Sequence, residues 1–247
     1  MVDFTRFYKD KANVGYIVAG YPSLKTTEQF LLSLAKTKID ILEIGLPYSD
    51  PLADGQVISE ASLKALQAGI GTKEVFALLA GINTAKCLVL LVYYNIIFSY
   101  GLTEFVRECK RAKIAALIVP DLPFEENEAL FRACEQEGIA LVGLVSVTSP
   151  KERIERILTR SSGFIYLVAS LGITGGKQVA KARLRAKVKE IKALTTLPVF
   201  IGFGIKNAKD VASIKQISDG AIVGTSIVEC FKQPSTRKII KKIDEIF

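Results

Sequence analysis

Short apolar runs alternate along the whole chain with segments whose apolar positions recur every three or four residues. The runs are Gly15–Ala19, Asp40–Gly45, Leu88–Tyr93, Ala115–Pro120, Ala140–Val145, Phe164–Val168, Pro198–Gly202 and Gly220–Val223. Most are continuous rather than alternating, the pattern of strands covered on both faces. Between them, Thr26–Lys36 places Phe30, Leu31, Leu34 and Ala35 on one helical face. Glu104–Lys113, Glu125–Glu137, Pro150–Arg160, Ala186–Leu194 and Ala208–Gln216 carry the same spacing. Eight strands, each followed by helical pattern, predict a single (β/α)8 TIM barrel over residues 1–247, a fold that takes about 250 residues. An extra N-terminal helix, Phe4–Lys11, is expected to cover the barrel bottom. The rival is a doubly wound sheet, which usually carries a glycine-rich fingerprint after its first strand; Gly15–Pro22 has none.

One strand breaks the pattern. Ile39–Gly45 is apolar except for Asp40 and for Glu43 near its end, and a loop with two prolines and two aspartates follows, so that Leu42–Gly55 reads LEIGLPYSDPLADG. Ile41, Glu43 and Gly45 share a face by the two-residue period. If that face points inward, Glu43 lies in the barrel mouth, where catalytic groups of this fold sit. Burial raises a carboxyl pKa, which makes a proton donor near neutral pH. Asp54, in the loop, is expected to be better solvated and ionised, so that two carboxylates in unlike surroundings divide into acid and anion. The alternative is a structural Glu43 paired with a core lysine or arginine.

Composition narrows the chemistry. The 247 residues are 49% hydrophobic and 23% charged and contain no histidine. The commonest general base and metal ligand is therefore missing, and Cys87, Cys109, Cys134 and Cys230 have no CxxC spacing, so no metal site is expected. The cysteines read as reduced residues of a cytoplasmic protein. No apolar stretch reaches the roughly 18 residues of a membrane span, and the polar start is unlike a signal peptide. The net charge of +8 gathers in segments such as Lys177–Lys192 and Lys238–Lys242. These read as solvated helix faces; without interleaved aromatics or a module, nucleic-acid binding is not expected. Glycines after the sixth, seventh and eighth strands, Gly175, Gly204 and Gly224, with Thr225 and the adjacent Phe203, are candidates to cradle a phosphate through backbone N–H groups. Each glycine alone is equally a turn.

LEIGLPYSDPLADG resembles the signature of the tryptophan synthase α subunit family, close to LELG-x-P-[FY]-SDP-x-ADG, at almost every position. Tyr93–Asn95 with Phe98 and Gly101, Pro120–Glu126, Gly172–Gly175, Gly202–Ile205 and Val223–Val228 extend the resemblance over the chain. The resemblance implies a lyase that cleaves indole-3-glycerol phosphate to indole and glyceraldehyde 3-phosphate by a retro-aldol reaction, with Glu43 and Asp54 catalytic. It places Tyr16, Leu91, Ile118 and Tyr166 in the indole pocket and Thr174 with Gly175 in the sixth, mobile loop of the family. It implies no cofactor in this chain, and a partner β subunit that carries pyridoxal phosphate in an α2β2 tetramer. Pro47, Asp50 and Pro51 on the acidic loop, and Asn95 and Phe98 on an apolar loop of the same rim, are expected to meet that partner. The chain departs from the family pattern at Tyr21, at Gln56–Val57 after the ADG segment, at Ser170 and at Lys177. Two other readings remain at this point: a different barrel enzyme acting on a phosphorylated indole or anthranilate intermediate, and an interaction subunit whose main role is to activate a partner enzyme.

Overall fold

The computed structural model describes residues 3–171, 177–178, 180–202 and 204–247, with Ser170, Leu171, Lys177 and Gln178 given by backbone alone. Nine strands form one parallel sheet: β1 (Ala12–Val18), β2 (Ile41–Gly45), β3 (Cys87–Leu91), β4 (Ala116–Ile118), β5 (Ala140–Leu141), β6 (Gly143–Ser146), β7 (Ile165–Val168), β10 (Val199–Gly202) and β11 (Gly220–Val223). A two-residue antiparallel pair, β8 (Ser170–Leu171) with β9 (Lys177–Gln178), lies outside it. The sheet order is β5-β4-β3-β2-β1-β11-β10-β7-β6. Its two ends are consecutive pieces of one stretch of chain. β5 pairs with β4, and one residue later β6 pairs with β7, so the stretch hands over from one neighbour to the other at Val142 and closes an eight-stranded barrel. This is the parallel, TIM-like α/β barrel that the pattern of runs predicts.

Alternation along the strands sorts the side chains into layers. Val14, Ile41, Val89, Ala116, Ile118, Val142, Phe164, Phe200 and Ile222 fill the barrel interior. Their neighbours one residue away, such as Leu42, Ile44, Leu88, Leu90, Leu117 and Val223, pack outward under the helices. Ile165, Leu167, Val199 and Ile201 do the same around β7 and β10. Burial on both faces is why these strands read as continuous apolar runs.

The N-terminal cover exists but is shorter than expected. Phe4–Phe7 forms a single 3-10 turn capped by Asp3, and the chain is already in β1 at Ala12. Phe4 is 1% exposed and meets Phe164 edge-on at 5.4 Å, and so plugs the lower end of the interior. A second difference concerns the rim. Tyr94–Tyr100, expected as an apolar loop, is a helix. Its first N–H, on Tyr94, donates to both carboxylate oxygens of Asp121 at 2.9 and 3.1 Å. The cap comes from the loop after β4, so no local sequence signal announces it.

Two glycines make room for two tyrosines at the top of the interior. Tyr16 on β1 is the register partner of Glu43 on β2, and its ring leans past Gly45. Tyr166 on β7 lies in the same way against Gly202 on β10. A methyl group at either glycine would overlap the tyrosine hydroxyl. Gly45→Ala is therefore expected to force the Tyr16 ring into the cavity above it. The expected cost is the roughly 1–3 kcal/mol typical of overpacking a filled core, read as a lower urea midpoint. An unchanged midpoint would mean that the ring relaxes without cost.

Candidate active site

The strand ends enclose a cavity of about 410 Å³, within the range of small-ligand sites. Glu43 reaches it from β2. Alternation points Glu43 inward with Ile41 and Gly45, between Tyr16 on β1 and Val89 on β3, its register partners. The side chain is 1% exposed, and its Oε1 has no hydrogen-bond partner among the described residues. Burial alone pushes the carboxyl up to about 8, so it is protonated at neutral pH. The alternative expectation, a lysine or arginine partner, has no counterpart among the described ion pairs.

Asp54 reaches the same cavity from the loop after β2. It is less solvated than expected: burial raises its carboxyl to about 6, against the opposing effect of a hydrogen bond from Tyr93. It is still mainly ionised at pH 7. The Tyr93 hydroxyl accepts from the Ala53 N–H at 3.1 Å and donates to Asp54 Oδ2 at 3.1 Å. One buried phenol therefore fixes both the loop backbone and the carboxylate orientation. Tyr48 stacks on Tyr93 with ring centres 4.9 Å apart, and the Tyr48 N–H donates to Ser62 Oγ at 2.8 Å. Tyr93 was not among the sequence candidates. Its signal was the alternation Val89, Leu91, Tyr93, which carries β3 to the mouth.

The cavity has an apolar and a polar end. Tyr16, Leu91 and Tyr166 line it, as expected, with Val57, Ile58 and Ile222, which the sequence reading missed. Burial, followed by the Asp54 charge, pushes the Tyr16 phenol well above its ordinary value; burial and the Glu43 charge do the same for Tyr166. Both phenols stay neutral donors. Ile118 is not on the wall: it is fully buried in the barrel interior, with Leu91 packed against the same cluster. The polar part of the wall, from the loops after β10 and β11, holds Gly204, Gly224, Thr225 and Ser226, together with Lys206. A Cβ at Gly224 would meet nothing closer than 3.7 Å, so no protein contact excludes a side chain there and the space belongs to the cavity. Thr225 begins a helix, Thr225–Cys230, whose first N–H groups have no carbonyl one turn earlier. Thr174, Gly175 and Phe203 lie outside the described residues. Among the described residues no group of His, Cys, Asp and Glu side chains is arranged to hold a metal ion.

Of the residues expected at a partner surface, Asp50, Asn95 and Phe98 are exposed and Pro51 is half-buried. Pro47 is buried and shapes the loop from within. Phe98 at 72% and Leu52 at 75% exposure are the two large apolar side chains presented by the two rim segments.

Comparison with known proteins agrees with this arrangement over the whole chain. The family model described as tryptophan synthase alpha chain matches residues 5–246. The tryptophan synthase alpha chain of Campylobacter jejuni (serotype O:6, strain 81116) is 56% identical over 247 residues, covering 100% of this chain and 99% of the relative. That of Methanocaldococcus jannaschii is 41% identical over 223 residues, covering 89% of this chain and 79% of the relative. Among solved structures, tryptophan synthase subunit alpha from Campylobacter jejuni superposes with a TM-score of 0.94 at 55% identity, covering 100% of both chains. A chain of the tryptophan synthase complex from Pyrococcus furiosus gives 0.85 at 28% identity, covering 97% of this chain and 98% of that one. With the signature loop, the barrel and the full-length identity in agreement, this chain belongs to the tryptophan synthase alpha chain family.

Proposed function

We propose that residues 1–247 act as one barrel domain in which Glu43 and Asp54 carry out the family reaction. The family is a lyase of tryptophan biosynthesis that cleaves indole-3-glycerol phosphate. The observation that carries the reading is the pair of unlike carboxyls: Glu43 buried, with an unpartnered oxygen, and Asp54 held by Tyr93, on one cavity.

Cleavage of the bond between indole C3 and the glycerol chain requires a proton on C3. Neutral Glu43 supplies it, which makes the ring nitrogen cationic. Ionised Asp54 accepts the ring N–H and stabilises that charge in a water-poor site. The C3–carbon bond then breaks, its electron pair returning to the indole ring, while the adjacent hydroxyl becomes the aldehyde of glyceraldehyde 3-phosphate. The proton lost from that hydroxyl passes to the Glu43 carboxylate, which resets the acid. The apolar wall of Tyr16, Leu91, Tyr166 and Ile222 suits the indole ring. Gly204, Gly224, Thr225 and Ser226 suit the phosphate through backbone N–H groups. Thr174, Gly175 and Phe203, outside the described residues, belong to the same phosphate end on the family resemblance. Family members carry no cofactor in this subunit; pyridoxal phosphate belongs to the β subunit.

The partner of this chain is the tryptophan synthase β subunit, in the α2β2 complex that the family resemblance implies. Asp50, Pro51, Leu52, Asn95 and Phe98 are the surface proposed to receive it. Asp54 lies on the same loop as Asp50 and Pro51, so a partner that holds the loop also holds Asp54. No helix among the described residues is long and apolar enough to cross a membrane. All four cysteines are unpaired and buried, which supports a cytoplasmic location.

Glu43→Gln keeps the shape and removes the transferable proton. Indole release should fall at least about a hundredfold, in the usual range of general acid–base catalysis. The variant should also be more stable than wild type at pH 8 and above. The folded Glu43 carboxyl keeps a proton that the unfolded chain releases near 4.5, so this group lowers wild-type stability as pH rises from there to about 8. Urea denaturation at several pH values reads the difference; a variant retaining half its activity would refute the assignment.

The pH profile of kcat/KM should be bell-shaped. Activity needs Asp54 ionised and Glu43 protonated, so it should fall below about 6 and above about 8. Asp54→Asn should abolish most turnover.

Titration of the chain with β subunit should raise its lyase rate at least about tenfold, or 1.4 kcal/mol of barrier. Asp50 substitutions should weaken that activation and leave the isolated chain unchanged. A rate flat through saturation would show that the loop does not couple the two subunits.

A further inference from the structure

Three described side chains on the cavity wall carry carboxyl groups: Glu43, which keeps its proton, Asp54, and Glu229, which lies 3.9 Å from the Lys232 ammonium; among the described wall residues one is a cation, Lys206. The substrate brings a phosphate monoester, which carries about −1.5 to −2 charges at pH 7. Gly204, Gly224 and Thr225 offer N–H dipoles but no net charge. The Asp54 carboxylate opposes an anionic substrate unless a positive group stands at its phosphate end.

Lys206 is built for that position. It lies two residues past Gly204 on the loop leaving β10. Its backbone N–H donates to Asp210 Oδ2 at 2.9 Å. The next residue, Asn207, caps the helix Ala208–Lys215 by accepting the N–H groups of Lys209 and Asp210 at 3.0 and 3.1 Å. The backbone is therefore pinned at Lys206 and immediately after it. The side chain, exposed at the cavity wall, enters no ion pair or hydrogen bond among the described residues. An ammonium group left unpartnered on the wall of an anion-binding cavity is a group kept for a ligand.

We infer that Lys206 is a substrate-positioning residue, its ammonium pairing with the substrate phosphate at the mouth of the glycine-lined end. The inference rests on the proposed placement of the phosphate at the ends of β10 and β11. It assigns Lys206 to binding rather than to the chemical step, because the reacting atoms lie by Glu43 and Asp54.

The test is steady-state indole release from indole-3-glycerol phosphate with saturating β subunit, for wild type, K206M, K206R and K209M. Lys209 is an exposed lysine three residues on and is not on the cavity wall, so K209M removes the same charge without touching the site. K206M should raise KM about tenfold, as expected for a partly solvated charge-assisted contact, with kcat changed less than about twofold. Inorganic phosphate should compete with substrate in wild type and inhibit K206M about tenfold more weakly. K206R should recover most of both losses, and K209M should match wild type. K206M with wild-type KM and wild-type phosphate inhibition would overturn the inference, as would a K209M that reproduces the loss. Indole release by wild type without any competition by phosphate would instead remove the placement of the phosphate, and the inference with it. No indole release by wild type would count against the catalytic reading itself.

Discussion

A buried carboxyl group, one of its oxygens without a partner among the described residues, is the constraint around which this molecule is arranged. An isolated charge is too costly in such surroundings, so Glu43 holds its proton. That state depends on the whole barrel. The register of β1, β2 and β3 surrounds Glu43 with Tyr16 and Val89, and the phenols nearby stay neutral for the same reason. A single lysine or arginine turned inward would pair with Glu43 and draw off that proton. The interior instead holds Val, Ile, Ala, Phe and Tyr.

Asp54 shows the complementary solution. It comes from a loop, where backbone freedom would ordinarily leave a side chain poorly placed. Here the freedom is removed by distant contacts: Tyr93 on both the backbone and the carboxylate, Tyr48 stacked on Tyr93, and Ser62 on the Tyr48 backbone. The prolines and aspartates that make the loop conspicuous in sequence are only part of its rigidity. The rest comes from β3 and from the helix Gln56–Gln67.

What could be read from sequence followed from how local the cause was. The eight runs were legible because burial on both faces writes itself into consecutive residues, and Glu43 because a carboxylate interrupts such a run. Gly220–Val223 has the expected bounds, while the fifth run hides the handover at Val142, since a change of neighbour leaves no trace in composition. The helix Tyr94–Tyr100 looks like a loop in the sequence because its cap, Asp121, is 27 residues away. The expected N-terminal helix, Phe4–Lys11, overruns the observed turn because Phe4 and Phe7 close the bottom within four residues. Ile118 and Leu91 were indistinguishable as sequence. Only the cavity shape separates the one inside the packed interior from the one on the wall. Of the residues that the resemblance implies, Glu43, Asp54, Tyr16, Leu91 and Tyr166 line the cavity, while the places of Tyr93 and Lys206 emerge only from the geometry.

The aromatic plug at the lower end has a consequence for traffic. With Phe4 seated against Phe164 and the interior filled above it, the cavity is a cul-de-sac. Among the described residues the cavity lies at the strand ends, the side of the barrel whose loops carry the exposed Leu52 and Phe98. A small oily product that leaves on that side crosses an oily threshold before it meets bulk water. Exposed apolar side chains beside the cavity suit contact with another protein surface better than contact with solvent.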